Sequence, residues 1–267
     1  MFELLDYSFF RHALIAIVII SVVSAIIGTY IVTRRMVAIS GGVTHACFGG
    51  LGLGYFLGVS PMAMAALFAV ASSLGVEWLT VRGRLREDSA IAVVWALGMA
   101  LGVLFVFLTP GYVPELNAFL FGNILTVSQS DLIIFAIYAA VLVTGMAIWY
   151  DKVVICAFDS DFARVMGLPV RTINCAMTVM TALCIVLTIK LIGIMLLMSM
   201  LAMPQMVAEL CFNRFKSIMV ASIVVSAVSC VAGLLLSAVI DVPCSAIIVL
   251  VMTGIYLTGR AAKAIMQ

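Results

Sequence analysis

One imidazole, His45, stands where the sequence offers almost nothing else to bind with: Ser40-Gly41-Gly42-Val43-Thr44-His45-Ala46-Cys47-Phe48-Gly49-Gly50-Leu51-Gly52. The stretch carries no charge and follows the pair Arg34-Arg35. A titratable ring in such surroundings costs free energy unless it is hydrogen-bonded or meets a solute that passes through. Two readings stand side by side on the residues alone: a histidine that bonds a neighbouring helix, and one that faces a permeation route.

Other groups of the same kind are few. Glu77 lies shortly before Arg82, and Glu209 shortly before Arg214. Snorkelling to an interface or pairing with the arginine is the expected reading of both, with guarding of a cation path the alternative. Met195, Met198, Met200, Met203 and Met206 form a dense run of soft ligands. Helical angles scatter them over more than one face, so they read as packing rather than as a copper site. Pro204, in the same run, frees a carbonyl that neighbours must satisfy. The seven cysteines include no Cys-x-x-Cys pair and sit mostly in apolar stretches, which predicts neither a disulfide framework nor a zinc knuckle. The sequence contains no G-x-x-x-x-G-K-[ST] loop to cradle phosphates, no G-x-S-x-G elbow and no H-E-x-x-H helix. The chain therefore reads as no enzyme, and any ATP hydrolysis belongs to a partner.

The elements that position these groups follow from composition. With 66% hydrophobic and 10% charged residues, and a mean hydropathy of +1.31, the chain lies far from a soluble average. It reads as an all-α polytopic membrane protein, one transmembrane domain over residues 1–267 surrounded by membrane lipid. Hydropathy places spans near 12–32, 37–58, 61–81, 89–108, 131–150, 172–189, 192–209, 217–238 and 243–259, each about the twenty residues that a hydrocarbon core of about 30 Å requires. Nine crossings are expected, with eight the alternative count. Of the fourteen Lys and Arg residues, twelve fall on one side of this topology, leaving only Arg11 and Lys190 on the other. The basic side is then cytoplasmic, the N-terminus outside and the C-terminus inside. Glu3 and Asp6 replace the basic start of a signal peptide, so the first apolar segment is expected to stay as a helix.

Within the second span, Gly42, Ala46, Gly50, Gly54 and Gly58 recur at every fourth position. On a helix they make one smooth ridge against which another backbone packs closely. His45 falls on the adjacent stripe with Gly41, Gly49 and Gly52, so its ring is expected to project into space with few other side chains.

A second constellation is built for a turn outside the bilayer. Asp159 can cap a short helix, Gly167 can end it in the left-handed conformation, and Pro169 prevents its continuation. Ala163 and Gly167, at i and i+4, would then share a shallow face on which another protein could seat.

Arg34-Arg35-Met36, Thr44-His45-Ala46 and Gly49-Gly50 resemble the opening signature of the metal-ion permeases of ABC transporters, which import zinc, manganese or iron. Phe119 to Ser128 resembles the family's Leu-Phe-Gly segment. Phe158-Asp159 with Ala163 and Gly167 resembles its cytoplasmic coupling pattern, and Gly193 to Pro204 and Asp241-Val242-Pro243 match in order. The resemblance implies a homodimer with cytoplasmic ATPase subunits that engage Phe158, Asp159, Ala163 and Gly167. It further implies an extracytoplasmic metal-binding protein and no nucleic acid. Glu3, Asp6, Glu115, Asp131 and Asp241 give an acidic outer face that suits docking. His45 would then be a transient ligand for a transported divalent metal, with no permanently bound cofactor. Many family members carry Asp four residues before this histidine, where this chain has Gly41. Loss of that hard oxygen ligand tilts the expected cargo toward zinc over manganese or iron. A prokaryotic inner membrane is the implied location. A self-sufficient proton-coupled transporter is the alternative reading.

Overall fold

The computed structural model describes residues 8–83, 85–110, 122, 127–240 and 242–266. Those residues form helices and no strand. The helices are α1 (Ser8–Thr33), α2 (Val37–Leu57), α3 (Pro61–Val81), α4 (Glu87–Leu108), α5 (Gln129–Phe158), α6 (Ser160–Val165), α7 (Val170–Cys211), α8 (Phe215–Ile240) and α9 (Cys244–Met266).

Eight of these are long and apolar enough to cross a membrane, the lower of the two expected counts. The difference lies in α7, where the spans expected at 172–189 and 192–209 run together as one 42-residue element broken at Gly193 (φ 78°, ψ 172°). The break leaves a helical stretch on each side of Gly193, each close to the length that one crossing requires. Hydropathy alone therefore divides it in two.

Local chemistry sets the boundaries. Arg35 at φ 58° separates α1 from α2. Gly58 closes α2 in the left-handed region at φ 66°, and the Val59 N–H returns to the Gly54 carbonyl at 3.0 Å. Ser60 caps α3 ahead of Pro61 in the first turn, and Glu87 and Asp88 place negative charge at the start of α4. Ser128 caps α5, accepting from the Asp131 N–H at 3.2 Å while its hydroxyl donates to the Asp131 carboxylate at 2.8 Å.

The chain divides into two compact units, each assembled from separated stretches. One comprises Met1–Val32, Asn117–Tyr150 and Thr188–Gln267. Its interior holds Ser21, Ser24, Gln205 and Ser226, all buried. Pro204 cannot donate to the Met200 carbonyl, and the Gln205 side chain does so instead: its Nε2 donates to Met200 O at 3.4 Å and to Ser24 O at 2.9 Å. The neighbour that Pro204 requires is thus the next residue in sequence. Gly28 makes room for it, since a Cβ there would stand 2.6 Å from the Gln205 Cδ. In the same unit Gly122, at φ 56°, lies so close to the break at Gly193 that any side chain would overlap the Ile192 carbonyl.

The second unit comprises Thr33–Leu116 and Asp151–Leu187, which brings together α2, α3, α4, α6, the end of α5 and the first half of α7. Both functional constellations of the sequence fall in it.

Candidate functional site

The glycines of α2 seat two helices. On the four-residue ridge, a Cβ at Gly42 would meet the Ile91 side chain of α4 at 2.5 Å, and Ala46 lies against Gly98 of α4. Farther along, a Cβ at Gly50 would stand 2.8 Å from the Ala65 Cα of α3, and one at Gly54 2.6 Å from the Pro61 Cα. Gly58 differs from the rest: a Cβ there meets nothing within 4 Å, and its task is to end the helix rather than to pack.

The stripe beside the ridge is also occupied, contrary to the open space expected around His45. Cβ atoms at Gly49 and Gly52 would stand 2.9 Å and 2.6 Å from the carbonyl oxygens of Gly98 and Gly102 on α4. His45, half-buried, lies flat on Trp95 of the same helix, with ring centroids 4.5 Å apart and planes 9° from parallel. Trp95 is the residue that sequence reading missed. Its signal was present as Trp95, Gly98 and Gly102 at i, i+3 and i+7, a notched face complementary to the small residues of α2. Among the described residues no three His, Cys, Asp or Glu side chains converge as a metal cluster. His45 reaches its place with an aromatic partner instead of a carboxylate, and Gly41 beside it is buried.

The short helix α6 has the expected construction. The Asp159 carboxylate accepts from the N–H groups of Asp161 at 3.0 Å and Phe162 at 2.9 Å. Gly167, at φ 76°, directs its N–H to the Arg164 carbonyl at 2.9 Å, while the Leu168 N–H returns to Ala163 O at 3.0 Å. Ala163 does not lie on the outward face as expected. It is fully buried against Cys156 and Val170, which clamp α6 to the end of α5 and the start of α7. On and beside α6, Phe158, Phe162, Val165 and Met166 are exposed, Val165 at 87%, next to the exposed ion pair of Asp161 and Arg164.

Of the two readings expected for Glu77 and Glu209, pairing with the following arginine is not seen: the ion pairs among the described residues include Arg164–Asp161 and Lys190–Asp131, but neither Glu77–Arg82 nor Glu209–Arg214. Glu209 is exposed, whereas the Glu77 Oε2 is buried with no hydrogen-bond partner. Of the Leu-Phe-Gly segment only Gly122, Val127 and Ser128 are described. The remainder of 113–128, with Glu3, Asp6, Arg84, Glu115 and Asp241, lies outside the described residues.

An all-helical, multi-pass membrane protein with glycine-seated helices and a short capped helix between two long ones defines the class. The model of the ABC 3 transport family matches residues 6–263. The chain is 33% identical over 263 residues to an uncharacterized membrane protein of Synechocystis, covering 98% of this chain and 94% of that one. It is 30% identical over 253 residues to the manganese transport system membrane protein MntC of Listeria monocytogenes, covering 95% and 90%. Its fold matches a chain of the solved structure of PsaBC from Streptococcus pneumoniae in complex with Fab, with a TM-score of 0.83 and 26% identity over 96% of this chain and 94% of that one. The protein belongs to the ABC 3 transport family, as a multi-pass protein of a prokaryotic cytoplasmic membrane.

Proposed function

We propose that the chain is the permease subunit of an ATP-driven importer of divalent metal ions. The observation that carries this reading is the family match over residues 6–263, reinforced by the similarity to a manganese transport protein along nearly the whole of both chains. The sequence has no phosphate-cradling loop, so a separate ATPase supplies the energy. A homodimer with two such ATPase subunits and one extracytoplasmic metal-binding protein is the assembly proposed.

In this reading His45 is a transfer ligand. Stacking uses the face of the imidazole, whereas a metal is bound through a nitrogen lone pair in the ring plane, so Trp95 orients the ring without occupying its donor atom. A single imidazole without a neighbouring carboxylate binds weakly enough to release its ion. With Gly41 one turn before it, the site favours the borderline ion Zn²⁺ over the harder Mn²⁺.

Coupling is assigned to α6. Phe158 contributes to the exposed apolar face, Asp159 and Gly167 fix the two ends of the helix, and Ala163 locks it onto the membrane helices that must receive its motion. The end carrying α6 is the cytoplasmic one. The pairing of Lys190 with Asp131 agrees with the sequence assignment of both residues to one side of the membrane.

The test is reconstitution into proteoliposomes with and without the cognate Walker-motif ATPase, offering Zn²⁺, Mn²⁺ and Fe²⁺ in turn. Uptake that requires the ATPase and favours Zn²⁺ is expected. Uptake by the chain alone contradicts the proposal.

A further inference from the structure

A second polar site lies in the unit formed by Thr33–Leu116 and Asp151–Leu187, remote in chemistry from the His45 ring. The end of α3 and the Arg34–Met36 turn, with the starts of α2, α4 and α7, line a partly open cavity of about 50 Å³. Ser73, Glu77, Glu87, Asn174, Thr178 and Arg34 supply its polar lining. Three of these lining residues also carry a buried side-chain oxygen with no hydrogen-bond partner: Ser73 Oγ, Glu77 Oε2 and Asn174 Oδ1. Ser73 is only 1% exposed. A buried oxygen without a partner is costly, so three on residues that line one cavity mark a place where a bound species could complete them.

The chemistry of the lining selects what that is. No histidine or cysteine faces the cavity, and the unpaired atoms are all hard oxygen donors. By formal charge the lining is net negative, with two carboxylates, Glu77 and Glu87, and one guanidinium, Arg34, which favours a cation over an anion. A water needs about 10–15 Å³, so the space suits one small ion that keeps part of its hydration. We propose that this cavity binds a single hard divalent cation through Glu77, Ser73 and Asn174, separately from the metal transferred at His45. Arg34 keeps the affinity moderate by opposing the ion's charge.

This site is testable at equilibrium and does not depend on the permease reading. Full-length protein in lipid nanodiscs is titrated with Mn²⁺ alone, and bound ion is followed by electron paramagnetic resonance. One saturable Mn²⁺ per chain is expected in the wild type and in His45→Ala, competed by Mg²⁺. Glu77→Gln and Ser73→Ala, each verified as folded by thermal melting, are expected to weaken binding by about tenfold or more, while Glu77→Asp retains it within about threefold. No saturable Mn²⁺ in the wild type, or unchanged affinity in both Glu77→Gln and Ser73→Ala, overturns the proposal. Loss of binding in His45→Ala with retention in Glu77→Gln also overturns it, by assigning the ion to the other site. Failure of ATP-dependent uptake with Mn²⁺ binding intact counts against the permease reading and leaves this site standing.

Discussion

His45 and Trp95 lie face to face at 4.5 Å, so the stack engages the face of the imidazole and not the in-plane lone pair through which its nitrogen would bind a metal. A ring fixed in this way loses less rotamer freedom when it takes a ligand than one standing alone in a glycine-lined stripe.

Trp95→Ala should therefore weaken the histidine's action without removing it. Aromatic pairs are worth about 0.5–1.5 kcal/mol beyond their burial, which corresponds to a rise of about two- to tenfold in the KM for metal uptake. Trp95→Phe keeps a stacking face and is expected to stay close to wild type. Equal uptake kinetics for Trp95→Ala and wild type would show that the stack is packing alone.

The close approach of α2 and α4 gives a prediction about stability. Gly52→Ala places a methyl 2.6 Å from the Gly102 carbonyl oxygen, and Gly49→Ala places one 2.9 Å from the Gly98 carbonyl oxygen. Each forces backbone apart, at a cost of about 1–3 kcal/mol. Gly75→Ala, where a Cβ meets nothing within 4 Å, is the matched control and should melt at or slightly above the wild-type temperature. Thermal unfolding in one detergent compares the three.

Most of this architecture was legible in the sequence, for reasons that differ from element to element. The long apolar runs fix the spans because a bilayer demands length and low charge. The cap residue Asp159 and the left-handed Gly167 delimit α6 through purely local bonds, which is why that short helix could be read from nine residues. What escaped was tertiary. Spacing places His45 on a stripe with Gly49 and Gly52 but says nothing of which helix fills that stripe, and α4 does so with Trp95, Gly98 and Gly102. Ala163 and Gly167 share a helical face, yet only the packing of Cys156 and Val170 reveals that Ala163 turns inward. Glu77 and Arg82 are near neighbours in sequence, but the glutamate buries an oxygen and lines a cavity whose other walls come from distant segments.

For α6, loss of function should separate from loss of fold. Asp159→Ala removes two cap bonds and costs about 0.5–2 kcal/mol locally. Val165→Asp, at an 87% exposed position, leaves the helix intact and alters only the surface offered to a partner. Val165→Asp is expected to reduce metal-stimulated ATP hydrolysis in the assembled complex severalfold with unchanged thermal stability. Full stimulation in Val165→Asp would place the partner contact elsewhere.

Gln205 carries a purely structural prediction. Gln205→Leu leaves the Met200 carbonyl freed by Pro204 without its Nε2 donor and is expected to destabilise the protein by about 1–3 kcal/mol. Replacing Pro204 by Ala in the same background restores a backbone N–H for that carbonyl, and the double variant should recover part of the loss. Additive effects in a thermal-melting cycle would refute the compensation.

The most direct measurement is ATP-dependent metal uptake in proteoliposomes holding the chain with its cognate ATPase, comparing wild type with His45→Ala at matched protein and matched ATPase assembly. The predicted result is uptake that requires both ATP and the ATPase in the wild type and is abolished in His45→Ala. Undiminished uptake by His45→Ala contradicts the transfer-ligand role, and uptake that proceeds without the ATPase contradicts the permease account itself.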